Sequence, residues 1–127
     1  MRILSIDFGL KKTGLAISWE GKMAEPFDVV RNYEKNTLLK KISGVVEANN
    51  IEKIVMGNPG GENENSIREF AEKLEEQTGL EVVLVDETLS TKEAIELSQV
   101  SGMKRKKRKE MEDAFAAAII LEKYLDG

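Results

Sequence analysis

Four carboxylates stand out by where they sit in the chain. Asp7 follows a short apolar run, Ile3-Leu4-Ser5-Ile6. Asp86-Glu87 follows another, Leu80 to Val85. Asp113 lies in the first turn of the final helical stretch, ahead of Ala116 and Ala117 and on one face with Ile120 and Tyr124. A carboxylate held within a sheet is costly unless a cation or a hydrogen-bonding partner meets it. Several that converge repel one another unless a divalent cation neutralises them. Oxygen-only ligands suit Mg²⁺ or Mn²⁺. Two such ions ~3.5–4 Å apart can activate a water and stabilise the leaving oxygen of a phosphodiester.

Composition narrows the chemistry further. The chain has no cysteine and no histidine. Disulfides, thiolate metal sites, ordinary zinc sites, histidine general bases and serine–histidine triads are therefore excluded. Catalysis has to come from carboxylates, lysines, hydroxyls or a metal bound through oxygen. The net charge of -4 is mild and by itself selects no partner. One stretch departs from it: Lys104, Arg105, Lys106, Lys107, Arg108 and Lys109 are consecutive cations just before the helix that carries Asp113. Such a run is commonly a solvated loop. Placed there, it can contact phosphates and feed a nucleic-acid backbone to the acids. It has no interleaved aromatics, so phosphate and shape recognition are expected rather than base reading. Lys11 and Lys12 would extend the same surface.

Each acid also has a plainer role when taken alone. Asp7 could be a hydrogen-bonded strand-end acid. Asp86-Glu87 could open a turn before a capped helix. Asp113, with Glu110 and Glu112, could complement a helix dipole. Only a shared location makes them a site, and the elements decide that.

The chain length suits one domain with a substantial core. Met1 to Glu20 reads as a β-hairpin, with Gly9 and Gly14 bracketing a turn that carries Lys11 and Lys12. Lys22 to Arg31 reads as a third strand, placed at an edge by Pro26. Leu38, Leu39, Ile42, Val45 and Val46 share a helical face. Ile51 to Met56 is a buried strand ending in the turn Gly57 to Gly61. Ser66 and Glu69 form a capping box for a helix with the core face Ile67, Phe70, Ala71 and Leu74. Gly79 ends that helix, and Leu80 to Val85 is the last strand. Ser90 and Glu93 would cap a third helix, and a fourth runs from about Glu110 to Tyr124. A meander followed by alternating strands and helices gives an α/β fold, a five-stranded mixed sheet flanked by helices in the order 3-2-1-4-5. Ligands in such sheets sit outside the carboxyl ends of the strands. That edge would gather Asp7 and Asp86-Glu87, with Asp113 delivered from the last helix.

Four segments together resemble the YqgF/RuvX-type RNase H-like nucleases, also described as Holliday-junction resolvases or pre-16S rRNA nucleases. They are IDFGLKKTGLAIS, IVMGNP, VDETLSTKEA and KRKKRKEMEDAFAAAIILEKYL, in the family's order and across nearly the whole chain. The resemblance implies an RNase H-like fold over residues 1–127, a divalent-metal nuclease site and a nucleic-acid substrate. By position, Asp7, Glu87 and Asp113 match the family's acidic triad. The implied process is trimming of the 5′ end of precursor 16S rRNA, with cleavage of branched DNA as the older suggestion. The chain departs from the family pattern at Thr88, where arginine is usual, at Trp19-Glu20, where an aspartate is usual, and at Asn58.

The expected activity is thus a metal-dependent endonuclease acting on structured RNA, with ribosomal particles as a further partner. A junction resolvase would share the chemistry but need a symmetric dimer. A non-catalytic RNA-binding assembly factor and an actin-like ATPase are the other readings. The ATPase would need a second domain for which the chain lacks length. No signal peptide or membrane-length apolar run is visible, so a soluble cytoplasmic protein is expected.

Overall fold

The computed structural model of the chain describes residues 1–9, 11–31, 34–58, 61–86 and 110–126. Alternation sets up the first strand, β1 (Ile3–Phe8). Leu4 and Ile6 point to one face of the sheet and join a large apolar cluster. Ile3 points to the other, so Ser5 and Asp7 follow it by the period of two. β1 pairs antiparallel with β2 (Lys12–Ser18), from Ile3 opposite Ser18 to Phe8 opposite Thr13. The turn is closed by the Gly9 N–H donating to the Lys12 carbonyl at 3.1 Å. Gly14 is therefore not a turn residue. It lies inside β2, directly opposite Asp7.

β3 (Glu25–Arg31) completes the meander as an edge strand, as Pro26 requires. Its register shifts between Leu15, paired with Asp28, and Ala16, paired with Pro26, leaving Phe27 as the extra residue of a bulge. β4 (Lys53–Asn58) lies parallel to β1 on its other side, and β5 (Val82–Asp86) lies parallel to β4. The sheet order is β3-β2-β1-β4-β5, as the element pattern predicts.

Helix α1 (Lys35–Ala48) and helix α2 (Glu64–Thr78) cover one face. They bury Leu38, Ile42, Ile67, Phe70 and Leu74 against Leu4, Ile6, Leu15, Ile54 and Met56. The Phe8 and Phe70 rings stack at 4.9 Å between centroids. Ser66 and Glu69 do not form the expected capping box. α2 starts three residues earlier, after a 3₁₀ turn over Gly61–Asn63, and its N-cap Asn63 makes no side-chain capping bond. Glu64 takes over that end of the helix, accepting from Arg68 at 2.9 Å and from the Asn58 amide at 3.4 Å.

Helix α3 (Glu112–Asp126) alone among the described helices crosses the opposite face, over β1, β2, β3 and β4. Small residues let it lie close: Ala117 and Ala118 pack on Ala16. Ile120 and Leu121 pack on Ile3 and Val55, and a Cβ at Gly57 would come within 2.5 Å of Ile120 Cδ1. Among the described residues, no helix is long and apolar enough to cross a membrane. The expected helix after Ser90 and the basic run Lys104 to Lys109 lie outside the described residues.

Candidate active site

The hairpin carries Asp7 to the edge where β1, β4 and β5 all end. Ile6, Met56 and Leu84 form one row across these three parallel strands. Asp86 is two residues beyond that row, in register with Asn58 and level with the end of β1. The main chain thus brings Asp86 to the same edge as Asp7. Glu87 itself lies outside the described residues.

Asp113 reaches the edge from the other direction, through the packing of α3. A Cβ built on Gly14 would overlap the carbonyl oxygen and carbon of Asp113 and lie 2.8 Å from the Ala114 nitrogen. The first turn of α3 therefore rests directly on sheet backbone, and only a residue without a side chain fits beneath it. Because Gly14 is the cross-strand partner of Asp7, this contact sets Asp113 down beside Asp7.

The electrostatics follow from that geometry. The Asp7 carboxyl is pushed up from 3.8 to about 6, first by burial and second by the negative charge of Asp113. Two acids, one of them largely removed from water, lie close together, and among the described residues no cationic side chain forms an ion pair with either. That is the condition a divalent cation with oxygen ligands relieves, so the residues present fit such an ion. Among the described residues no group of three or more metal-ligating side chains is assembled; Asp7 and Asp113 supply two.

Another carboxylate near this edge has a different role. Glu64 is held below the usual carboxylate range by hydrogen bonds, first from Arg68 and then from Asn58. Asn58 is buried at the end of β4, and by alternation it sits on the α1–α2 face with Met56 and Ile54. Glu64 thus braces the start of α2 on the far side of the sheet from Asp7. In the sequence, Asn58 looks like part of a turn, and nothing local marks it as the last residue of a buried strand.

Of the expected nucleic-acid contacts, Lys11 is exposed in the hairpin turn and Lys12 opens β2. Lys12 stands on the face shared with Gly14, and so on the face of Asp7 and Asp113. Lys104, Arg105, Lys106, Lys107, Arg108 and Lys109 are not among the described residues, though in sequence only Glu110 and Met111 separate them from α3.

This five-stranded mixed sheet, with an acid on its central strand and another on a helix laid across it, has the RNase H-like architecture of resolvases. It superimposes on the fowlpox virus resolvase solved with Holliday junction DNA at a TM-score of 0.64, covering 99% of this chain and 97% of that one at 15% identity. It also superimposes on Thermus thermophilus RuvC in complex with a Holliday junction substrate, at a TM-score of 0.61, covering 98% and 93% at 16% identity. The family can be stated more narrowly. Residues 1–127 match the family model described as RuvX: Holliday junction resolvase, and the chain belongs to that family. A Lachnospira eligens protein provisionally named a pre-16S rRNA nuclease is 38% identical, with 100% of this chain and 98% of that protein covered. A Dictyoglomus thermophilum protein of the same provisional name is 40% identical, with 100% and 96% covered. The chain is accordingly a hydrolase of the nuclease class.

Proposed function

We propose that the chain acts as one nuclease domain, a divalent-metal-dependent endonuclease that processes the 5′ end of precursor 16S rRNA in the cytoplasm. The observation that carries this reading is the meeting of Asp7 and Asp113 at the Gly14 contact, with the Asp7 carboxyl raised to about 6. The full-length likeness to relatives provisionally named for that RNA supports the substrate.

Asp7 and Asp113, with Glu87 as the third ligand, would hold Mg²⁺ or Mn²⁺. The bound ion would supply Lewis-acid stabilisation of the phosphodiester and a water of lowered pKa. Asp7 must release its proton to serve as a ligand, which places its working range above about pH 6. The first turn of α3, resting on sheet backbone, fixes the spacing of the two acids. Lys11, Lys12 and the run Lys104 to Lys109 would contact the substrate backbone, and ribosomal precursor particles would present it.

The family's description also names four-way DNA, so both substrates belong in the test. The full chain is incubated with precursor 16S rRNA and with a four-way DNA junction, in Mn²⁺ and in EDTA. The expected result is cleavage at the 5′ leader of the RNA with Mn²⁺ and none with EDTA. Cleavage confined to paired strands of the DNA junction would move the substrate to branched DNA. Cleavage that persists undiminished in EDTA, or none of either substrate, would overturn the metal-nuclease reading.

A further inference from the structure

Lys12 and Arg31 are cross-strand partners in the register of β2 and β3. Val30, next to Arg31, is buried in the α1–α2 cluster, so Arg31 points the other way, to the face of Asp7, Gly14 and Asp113. Like charges directly opposite each other on one sheet face are destabilising. Among the described residues neither cation forms an ion pair with a carboxylate that would offset the repulsion directly. Charge on an edge strand does protect against edge-to-edge pairing. Glu25 and Asp28 already place charge on β3, and an acid at position 31 would protect the edge equally well while attracting Lys12. A destabilising cation pair beside an acidic site is explained if an anion fits between the two side chains.

Its placement says which anion. With strands about 4.8 Å apart and a rise of about 3.4 Å per residue, the Arg31 Cα lies about 12 Å from the Asp7 Cα and the Lys12 Cα about 8 Å. Extended lysine and arginine side chains on that side reach a group flanking the one at the acids. We propose that Lys12 and Arg31 form a two-pronged clamp for one backbone phosphate of the substrate strand, next to the scissile phosphate on the β2–β3 side. Arginine suits the position because its planar fork engages a phosphate through two N–H groups. The strand being cut then runs along the carboxyl edge of the sheet from the acids beside β1 toward the β3 edge. This inference rests on the nuclease reading above and adds the path of the substrate strand across the sheet.

The test measures binding rather than cleavage, in full-length protein carrying Asp7→Asn so that the substrate stays intact. Affinity for a precursor 16S rRNA fragment and for a four-way DNA junction is followed against salt concentration. Arg31→Glu should pair with Lys12 and remove both prongs. Loss of one phosphate contact lowers the slope of log affinity against log salt by about 0.7–0.9 and weakens binding about five- to eightfold near 0.1 M salt. The double variant Lys12→Ala/Arg31→Ala, which adds no negative charge, should show the same loss, and Arg31→Lys should keep the parent slope. Arg31→Glu should also melt no lower than the parent, because a repulsive pair becomes an attractive one. A purely structural arginine would lose stability and binding together. Parent binding with an unchanged slope in both Arg31→Glu and the double variant overturns the clamp and leaves the nuclease reading standing. Failure of the parent to bind either nucleic acid overturns both.

Discussion

Gly14→Ala is expected to destabilise the protein by about 3 kcal/mol or more, at the upper end of the range for added core volume. The reason is what the new methyl group would meet. It is the carbonyl of Asp113 and the nitrogen of Ala114, backbone atoms at the start of α3, with no flexible side chain to swing aside. Relief requires α3 to rise off the sheet, which loosens the contacts of Ala117 and Ala118 on Ala16 and carries Asp113 away from Asp7. In a domain of this size the loss corresponds to a melting temperature about 10 °C lower or more. Gly44→Ala is the matched control. Gly44 lies within α1 with nothing near its absent Cβ, and alanine there should raise stability by about 0.5–1 kcal/mol. Thermal unfolding of the two variants checks both. A Gly14→Ala protein as stable as the parent would mean that α3 does not rest on the sheet at that rung.

The second large effect is at Asp7, where activity and stability should move in opposite directions. Asp7→Asn is expected to lower cleavage at least about a hundredfold, since even the outer partners of metal ligands are worth 10–100-fold. The same change should stabilise the metal-free protein. Raising the carboxyl from 3.8 to about 6 means the fold holds the neutral form preferentially, by about 3 kcal/mol. Below pH 3.8 the group is protonated in both folded and unfolded states, and the fold carries no penalty from it. As pH rises from 3.8 to about 6 the unfolded chain gives up its proton while the fold still holds it, and that contribution to stability is lost. Asparagine keeps the shape and omits the charge. It should therefore regain about 3 kcal/mol well above pH 6 and almost nothing below pH 4. Denaturant unfolding of both proteins across this range measures it. A variant that is less stable than the parent at pH 7.5 would show Asp7 to be a satisfied structural acid.

Much of this arrangement was legible in the residues, for physical reasons that can be named. Alternation at Ile3, Leu4 and Ile6 made β1 readable, and the hairpin and crossovers then determined the sheet order. The face Ile67, Phe70, Ala71 and Leu74 was readable because α2 has a single apolar stripe. The start of α2 was not. Ser66 and Glu69 have capping-box spacing, but Glu64 is already engaged with Arg68 and Asn58, and the helix begins there. Gly14 was hidden for a deeper reason. A glycine at the start of an apolar run resembles a turn, and the backbone it accommodates lies at the far end of the chain. Arg31 was hidden in the same way: its meaning comes from Lys12 opposite it, which only register reveals. Asp7 and Asp113 were visible as types, while the contact that brings them together was not.

The most direct test of the site is a titration of Mg²⁺ or Mn²⁺ into the full chain, followed by calorimetry and by the shift in melting temperature. At pH 7.5 the parent should bind the ion saturably and melt higher with it, because the cation relieves the repulsion between Asp7 and Asp113. At pH 5, where Asp7 keeps its proton, the affinity should fall. Asp7→Asn should show neither heat of binding nor a shift. An equal metal-dependent shift in parent and Asp7→Asn, unchanged between the two pH values, would contradict a cation held between these two acids.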